Sequence, residues 1–195
     1  MNQLFIAKMD KQDVIIRKII RETIKEMNLF HGTAADFDKF DLAYLGSGWG
    51  EQAYGYGFYL SDSLEVAKDY AQGGYIYTVK VPDGRYLSYE GISRAEVNRI
   101  ARDFYKYYTE ENEYGREAYA GCEREFWEEE CKYILDAENG GDIYGDLAHL
   151  FGSDKETSEF LYKEGYKGIK WSDNGNTNYV LFNPKDLKIL KKDKI

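Results

Sequence analysis

The chain has 195 residues, enough for one domain with a substantial hydrophobic core and few for two. With 43% hydrophobic and 31% charged residues, its composition is typical of a soluble globular protein. A net charge of −9 argues against general affinity for nucleic acid, which depends on basic residues that displace phosphate counterions. The nineteen tyrosines supply amphipathic surfaces suited to pocket linings and interfaces.

The negative charge is concentrated in one segment. Residues 103–142 hold thirteen acidic and four basic side chains, so this segment alone carries −9. Such a run is more often a solvated helix face than a binding surface, with a basic partner as the alternative.

Cysteines, histidines and hydropathy set the remaining limits. Cys122 and Cys131 lie nine residues apart in one predicted helix, which is too far along its axis for a disulfide. His31 and His149 have no companions at metal-ligand spacing, so no metal site is predicted. No segment resembles a signal peptide or a membrane span. We therefore expect a reduced, cytoplasmic protein with no membrane partner.

The first predicted element is an amphipathic helix at about residues 10–27. Its apolar side chains recur at i, i+3, i+4 and i+7, and charges of both signs occupy the other face. We expect the apolar face to pack on the back of the domain, with a partner-binding or membrane-surface helix as the alternative. Residues 28–32 then predict a strand that ends at Gly32.

Glycine-rich residues 33–57 are predicted to be mostly loop, and a short strand follows at 58–60. Asp62 and Glu65 form a capping-box pattern, which predicts the start of a helix that continues to about Ala71.

Antiparallel-looking strands occur in both halves of the chain. Residues 75–81 alternate as in a half-buried strand, 82–84 predict a turn, and 85–88 a returning strand. Residues 166–171 and 178–182 are short apolar runs joined by a turn cluster, and 187–190 give a last strand before a basic tail.

An acidic helical insertion is predicted at about residues 92–138. Ser93 and Glu96 form a capping box for its first helix, and the second spans about 116–137. The predicted buried residues are Val97, Ile100, Ala101, Phe104 and Tyr108 in the first helix, and Tyr119, Cys122, Phe126, Tyr133 and Ile134 in the second.

A further helix is predicted to begin after Ser153, which forms a capping box with Glu156, and to end at Gly165. Helices and strands alternate irregularly along the chain. We therefore predict a single α+β domain over residues 1–195.

Several catalytic patterns are excluded. The segment Gly46-Ser47-Gly48-Trp49-Gly50 fits neither the dinucleotide fingerprint nor the P-loop. There is no serine elbow, and neither cysteine has a reactive context. His149 lies among apolar residues on a predicted helix and is interpreted as structural or merely exposed.

His31 differs from His149 because Gly32 allows a ligand to approach the backbone closely and Thr33 adds a hydroxyl. Tyr59 and Tyr70 flank the helix predicted to end at Ala71. Two aromatic rings so placed could hold a flat ring between them, although a core position for Tyr70 is an equal alternative.

Three segments resemble the ADP-ribosyltransferases of the poly(ADP-ribose)-polymerase-like branch, which has a His-Tyr-Glu signature. The similarity is greatest to the small domains of this branch in phage polyvalent proteins. The resembling segments are Leu29–Ser61, the helix through Ala71, and Gly140–Leu190. The resemblance implies a split pair of antiparallel sheets with NAD, as co-substrate, in the cleft between them.

The resemblance also implies roles for individual residues. His31 would bind a ribose hydroxyl, and the Gly32 backbone would bind the carboxamide with Thr33 beside it. Tyr59 and Tyr70 would enclose the nicotinamide ring. A contact with the carboxamide is likewise implied for Ser61.

Asn178 stands where the signature glutamate is expected. Glutamate can stabilise positive charge on the ribose and polarise an acceptor, whereas asparagine can only form hydrogen bonds. Chain elongation is therefore not expected, and single transfer is.

We thus expect a mono-ADP-ribosyltransferase that needs no metal and transfers ADP-ribose from NAD to a macromolecular acceptor, with release of nicotinamide. The acidity of 103–142 favours protein over nucleic acid as the acceptor. The expected setting is a phage or bacterial effector, toxin or anti-defence protein, with an antitoxin or a host defence protein as candidate partners. The alternatives are a non-catalytic NAD-binding or interaction module, an NAD hydrolase, and an RNA-modifying toxin.

Overall fold

The computed structural model describes residues 26–45, 52–111, 116–117 and 123–195. Within them, seven strands form one sheet. In chain order they are β1 (Glu26–Thr33), β2 (Phe58–Ser61), β3 (Tyr75–Pro82), β4 (Arg85–Ser88), β5 (Tyr166–Asp173), β6 (Asn176–Leu181) and β7 (Lys188–Lys194).

The strand order across the sheet is β4-β5-β6-β2-β1-β3-β7. Neighbouring strands are antiparallel except β4 and β5, which run parallel. The α+β prediction is confirmed, and the expectation of purely antiparallel strands was wrong for this one pair. The physical reason is the long helical connection between β4 and β5, which lets the chain return in the same direction.

Six α-helices lie in the described part of the chain. They are α1 (Leu64–Ala71), α2 (Arg94–Lys106), α3 (Glu123–Glu129), α4 (Cys131–Asp136), α5 (Gly140–Phe151) and α6 (Asp154–Lys163). A π-helical segment, Tyr107–Glu111, follows α2. Of the described helices, none is long and apolar enough to cross a membrane.

Most of the predicted N-terminal helix lies outside the described residues. Its last two positions, Glu26 and Met27, are described and belong to β1, so the predicted helix end was wrong. Both residues pair with β3, which extends the strand two residues towards the N-terminus.

The start of α1 also differs from its prediction. The N-cap is Ser63, whose Oγ accepts a hydrogen bond from the amide of Val66. Asp62, predicted to cap the helix, instead accepts a hydrogen bond from the amide of Thr177 at 2.9 Å. The Asp62 carboxylate therefore binds the start of β6, and the hydroxyl of Ser63 caps the helix instead.

The helical insertion contributes to the core, but its second helix is not continuous. It is interrupted at Glu130 between α3 and α4, and Cys131 and Ile134 carry the buried face beyond that point. Tyr133 is 54% exposed, so its predicted burial was wrong. Tyr119 and Cys122 lie outside the described residues.

The sheet separates two main clusters of buried side chains. The larger cluster joins α2–α6 to the face that carries Leu87, Ile169 and Val180. The second cluster lies on the opposite face and includes Leu29 and Tyr77. A small third cluster packs α1 against β1 and β3.

A tight turn joins β5 to β6, and ion pairs hold the end of β7. Asn174 and Gly175 both have positive φ and form the turn between β5 and β6, as a two-residue hairpin requires. The predicted basic tail is part of β7, where Lys192 forms ion pairs with Asp36 and Asp38.

Gly32 is required by the packing of α1. A Cβ at this position would lie 1.7 Å from the carbonyl oxygen of Ala67, a backbone atom of the helix. We predict that Gly32→Ala lowers the free energy of unfolding by at least about 2 kcal/mol, since overpacking against backbone cannot relax through a rotamer change. Urea unfolding measures this loss.

Gly145→Ala is the matched control. Gly145 lies within α5 and has open space where a Cβ would be. Its replacement should leave stability unchanged or raise it by about 0.5–1 kcal/mol, because alanine favours the helix. Equal stability of the two variants would contradict the packing argument.

Candidate active site

The strands β1 and β2 are neighbours, yet they pair at one position only, Phe30 with Ser61. Along all eight residues β1 pairs with β3, and along four residues β2 pairs with β6. Beyond the Phe30–Ser61 pair, residues 31–33 and 58–60 lie on two sides of a divergence. The sheet is thus divided into three strands (β1, β3, β7) and four strands (β4, β5, β6, β2) joined at a single pair.

His31 is half-buried at this divergence. Its Nδ1 lies 2.8 Å from the carbonyl oxygen of Tyr59. Because a carbonyl can only accept, Nδ1 carries the proton, and Nε2 of the neutral ring is an acceptor. The ring packs edge-on against Phe40, with centroids 5.3 Å apart, and also contacts Phe37 and Tyr77.

Burial lowers the pKa of His31 below its ordinary value of 6.5, and the hydrogen bond to the Tyr59 carbonyl offsets only part of this effect. The imidazole is therefore neutral at pH 7. Nε2 has no hydrogen-bond partner among the described residues.

The residues after His31 have local partners. The close approach that Gly32 allows is, in this structure, that of the α1 backbone at Ala67. The hydroxyl of Thr33 accepts a hydrogen bond from the amide of Ala35 at 3.2 Å. Both residues lie at the divergence because they follow the Phe30–Ser61 pair, after which β1 no longer pairs with β2.

The hydroxyl of Tyr59 is fully used within the protein. It donates to the carbonyl of Gly55 and accepts from the amide of Tyr54, each at 3.0 Å. Burial raises the pKa of Tyr59 above its ordinary value, so the phenol stays protonated. Only the ring of Tyr59 remains for contact with a ligand.

Asn178 lies in β6 directly opposite Ser61 of β2. The residue is only 8% exposed, and its side-chain amide has no hydrogen-bond partner among the described residues. No fully buried side-chain nitrogen or oxygen atom in the described part of the chain lacks a partner, so the unpaired amide atoms of Asn178 retain access to solvent. A nearly buried, unpaired amide is a feature of a polar binding site.

The pairing decides which candidate side chains share a face. Tyr59, Ser61 and Asn178 project to the face of the larger cluster because Ser61 pairs with Asn178 and Tyr59 with Val180. Phe30 pairs with Ser61, so the next residue, His31, projects to the opposite face. His31 therefore approaches Tyr59 through the backbone carbonyl, not the ring.

Tyr70 lies on α1 and is 57% exposed. The alternative interpretation of Tyr70 as a core residue is thus wrong, because α1 buries Ala67 and Ala71 instead. Among the described residues, none forms a ring contact with Tyr70. Ser61, by contrast, is buried, and its Oγ accepts from the amide of Ser63.

The sequence did not single out the aromatic pair beside Asn178. Trp171 of β5 pairs directly with Asn178. Its ring stacks on Tyr54 with centroids 4.1 Å apart and an interplanar angle of 10°. The only local signal was the two-residue spacing of Ile169 and Trp171, which places both on the face of the larger cluster.

Comparison with known proteins identifies the family. A family model described as "ADP-Ribosyltransferase in polyvalent proteins" matches residues 25–194. The match spans most of the chain, and the protein belongs to this family of ADP-ribosyltransferases. The resemblance to this family, including its polyvalent-protein branch, is thereby confirmed.

Comparisons with curated proteins and with solved structures add nothing on function to the family match. No curated protein matches the chain. A solved structure described as an anti-CRISPR protein is 13% identical, with a TM-score of 0.38, over 86% of this chain and 96% of that chain.

ADP-ribosyltransferases, the family to which this chain belongs, use NAD as co-substrate. NAD presents hydroxyls, a carboxamide and a flat ring. Groups of matching chemistry are unpaired or exposed within the described residues, namely the amide of Asn178, the Nε2 of His31 and the ring of Tyr70. Asn178 and His31 project to opposite faces of the sheet.

The lowered pKa of His31 predicts a pH dependence of stability. The His31 side chain binds a proton at higher pH in the unfolded chain than in the folded chain. The contribution of neutral His31 to the free energy of unfolding is therefore complete above pH 6.5 and is lost as the pH falls towards the folded pKa. We predict that His31→Asn weakens this dependence, since the asparagine amide can donate to the Tyr59 carbonyl without titrating. Urea unfolding between pH 5 and about 8 measures it.

His149→Asn is the control for this experiment, because it changes the exposed second histidine. A profile of His31→Asn that coincides with that of the wild type would contradict the assignment.

Proposed function

We propose that this protein is a mono-ADP-ribosyltransferase that transfers ADP-ribose from NAD to a protein acceptor and releases nicotinamide. The observation that supports it most directly is the unpaired amide of Asn178, 8% exposed and opposite Ser61, in a chain of the ADP-ribosyltransferase family. NAD supplies the glycosidic bond to nicotinamide, whose cleavage provides the group that is transferred.

The proposed roles of the divergence residues follow from their free groups. His31 accepts a hydrogen bond from a ribose hydroxyl through Nε2 and stays neutral while doing so. The Gly32 backbone and Thr33 lie next to the carboxamide. Tyr59 and Tyr70 contact the nicotinamide ring through their aromatic faces only, because the Tyr59 hydroxyl is already paired.

Ser61 has a narrower role than the other residues. Its Oγ accepts from the amide of Ser63, and its own proton is free to donate to the carboxamide oxygen.

Asn178 sets the reaction type. Its amide orients the ribose by hydrogen bonding and carries no charge, so it cannot act as a base towards a hydroxyl of an attached ADP-ribose. A single transfer therefore fits this residue better than elongation. The presence of asparagine where the family signature has glutamate also favours a second candidate, a non-catalytic module that binds NAD.

The charge of the chain favours protein over RNA as the acceptor. The net charge is −9, and it arises from residues 103–142. Phosphate groups of RNA would be repelled by this negative charge, whereas a basic protein surface would be attracted. We infer a cytoplasmic effector of a phage or bacterium that modifies a host protein such as a defence protein, with an antitoxin as a further candidate partner.

The activity is tested with NAD labelled on its adenylate moiety, incubated with the protein and a cell lysate. We expect label on a macromolecule together with free nicotinamide. Label that survives nuclease and is lost to protease identifies a protein acceptor; the reverse identifies RNA. Nicotinamide without labelled acceptor would identify a hydrolase, and NAD binding without either product would identify a binding module.

Asn178→Ala tests the proposed role of the amide. We expect nicotinamide release to fall by about 10²-fold, the order observed when an enzyme loses one preorganised hydrogen-bond donor. Asn178→Glu should raise the rate above that of the wild type only at alkaline pH, because a carboxyl group at this nearly buried position is driven towards its neutral form and only the ionised group can stabilise the charged ribose.

Asn176→Ala is the control for both Asn178 variants. Asn176 lies two residues away in β6, on the same face, and is half-buried. Its replacement should change the rate less than about twofold, as surface substitutions away from a site do. An unchanged rate in Asn178→Ala would refute the role of the amide while leaving the family assignment intact.

A further inference from the structure

The segment 52–57, which leads into β2, is held in place by side-chain hydroxyls. The Tyr59 hydroxyl binds the amide of Tyr54 and the carbonyl of Gly55. At Tyr56, the hydroxyls of Tyr144 and Ser158 bind the amide and the carbonyl. Both residues belong to the helical layer, Tyr144 to α5 and Ser158 to α6.

The hydrogen bonds of Tyr144 and Ser158 form one chain. The Tyr144 oxygen accepts from the amide of Tyr56 at 2.9 Å, and Ser158 donates to the carbonyl of Tyr56 at 2.8 Å. The two hydroxyls are 2.9 Å apart, and Tyr144 can also donate to the carbonyl of Asp154. Both side chains are buried, so water cannot readily replace either bond.

Two glycines allow this close packing. A Cβ at Gly55 would lie 2.9 Å from the Tyr144 ring, and the φ of Gly55 is +123°. A Cβ at Gly57 would lie 2.5 Å from the carbonyl oxygen of Leu181 in β6. The backbone of residues 55–57 is thereby packed closely between the Tyr144 ring and β6.

The segment carries an aromatic ring to the neighbourhood of Asn178. Tyr54 stacks on Trp171, and Trp171 is the direct cross-strand partner of Asn178. Trp171 also meets the ring of Tyr59 edge-on, with centroids 6.2 Å apart. The segment 52–57 thus contributes Tyr54 to an aromatic wall on the β5 side of Asn178, which consists of Tyr54, Trp171 and Tyr59.

We propose that Tyr144 and Ser158 are positioning residues for the transferase site. They hold the backbone of Tyr56, which places Tyr54 against Trp171 and thereby fixes the wall beside Asn178. This inference rests on the proposed transfer reaction. The residues proposed to bind NAD lie on β1, β2, β6 and α1, outside the held segment. We call the hydrogen bonds of Tyr144 and Ser158 to the Tyr56 backbone the hydroxyl clamp. Loss of this clamp therefore changes turnover more than NAD affinity.

The test uses Tyr144→Phe and Ser158→Ala, each of which removes one hydroxyl. The control is Tyr86→Phe, which also removes a tyrosine hydroxyl bound to a backbone carbonyl, that of Pro82 at 2.8 Å, but on β4. Hydrogen exchange of residues 52–57, the urea midpoint, and kcat and KM for nicotinamide release are measured for all four proteins, including the wild type.

We expect both test variants to exchange the amides of 52–57 faster than the control, with a similar urea midpoint. The value of kcat should fall about tenfold while KM for NAD changes less than about twofold, as for a misplaced but intact site. Ser158→Ala keeps the test valid if Tyr144→Phe does not fold.

The unfavourable outcomes are distinct. Unchanged exchange in 52–57 overturns the clamp. Faster exchange with unchanged kcat, or a fall confined to KM, overturns the positioning role. A wild-type protein that releases no nicotinamide overturns the proposed function itself, and with it the catalytic meaning of the clamp.

Discussion

The separation of β1 from β2 after one residue pair is the constraint on which the site depends. A fully paired sheet would use the facing backbone groups of residues 31–33 and 58–60 in ladder hydrogen bonds. Here His31 binds the Tyr59 carbonyl through its ring, and a polar side chain takes the place of a ladder partner. The close packing of the α1 backbone on Gly32 also holds β1 in place. At this point the two strands are therefore held in place without being closed against each other.

Tyrosine hydroxyls stabilise the irregular segments around this opening. Tyr77 accepts from the amide of Phe37 and donates to the carbonyl of Ala35, as Tyr59 does for residues 54 and 55. Each hydroxyl supplies one donor and one acceptor, which matches the unpaired amide and carbonyl of a loop. Composition alone suggested that the tyrosines line pockets and interfaces. Several of them instead provide backbone partners where no strand is available.

Local patterns predicted the local structure well. Alternation identified β3, the capping serines identified the starts of α2 and α6, and the Asn174-Gly175 turn was contained in a polar cluster. The hydroxyl clamp could not be predicted in this way, because Tyr56 and Tyr144 are 88 residues apart and neither belongs to a periodic pattern that refers to the other. The sheet face to which His31 projects could not be predicted either, since it depends on the register of β1 against β2.

The asparagine at 178 agrees with the burial of its position. A carboxylate that is 8% exposed, without a cation or several donors around it, would be strongly desolvated and would be driven towards its neutral form. The amide avoids this cost and still presents both a donor and an acceptor. In the proposed transfer, the amide cannot provide a negative charge opposite the developing charge on the ribose, and that loss would affect the chemical step more than binding. In that reaction, the site would therefore bind NAD through uncharged hydrogen bonds, and its catalysis would depend on the positioning of NAD. For the proposed transfer, the position of the aromatic residues beside Asn178 would therefore matter more than it would beside a glutamate.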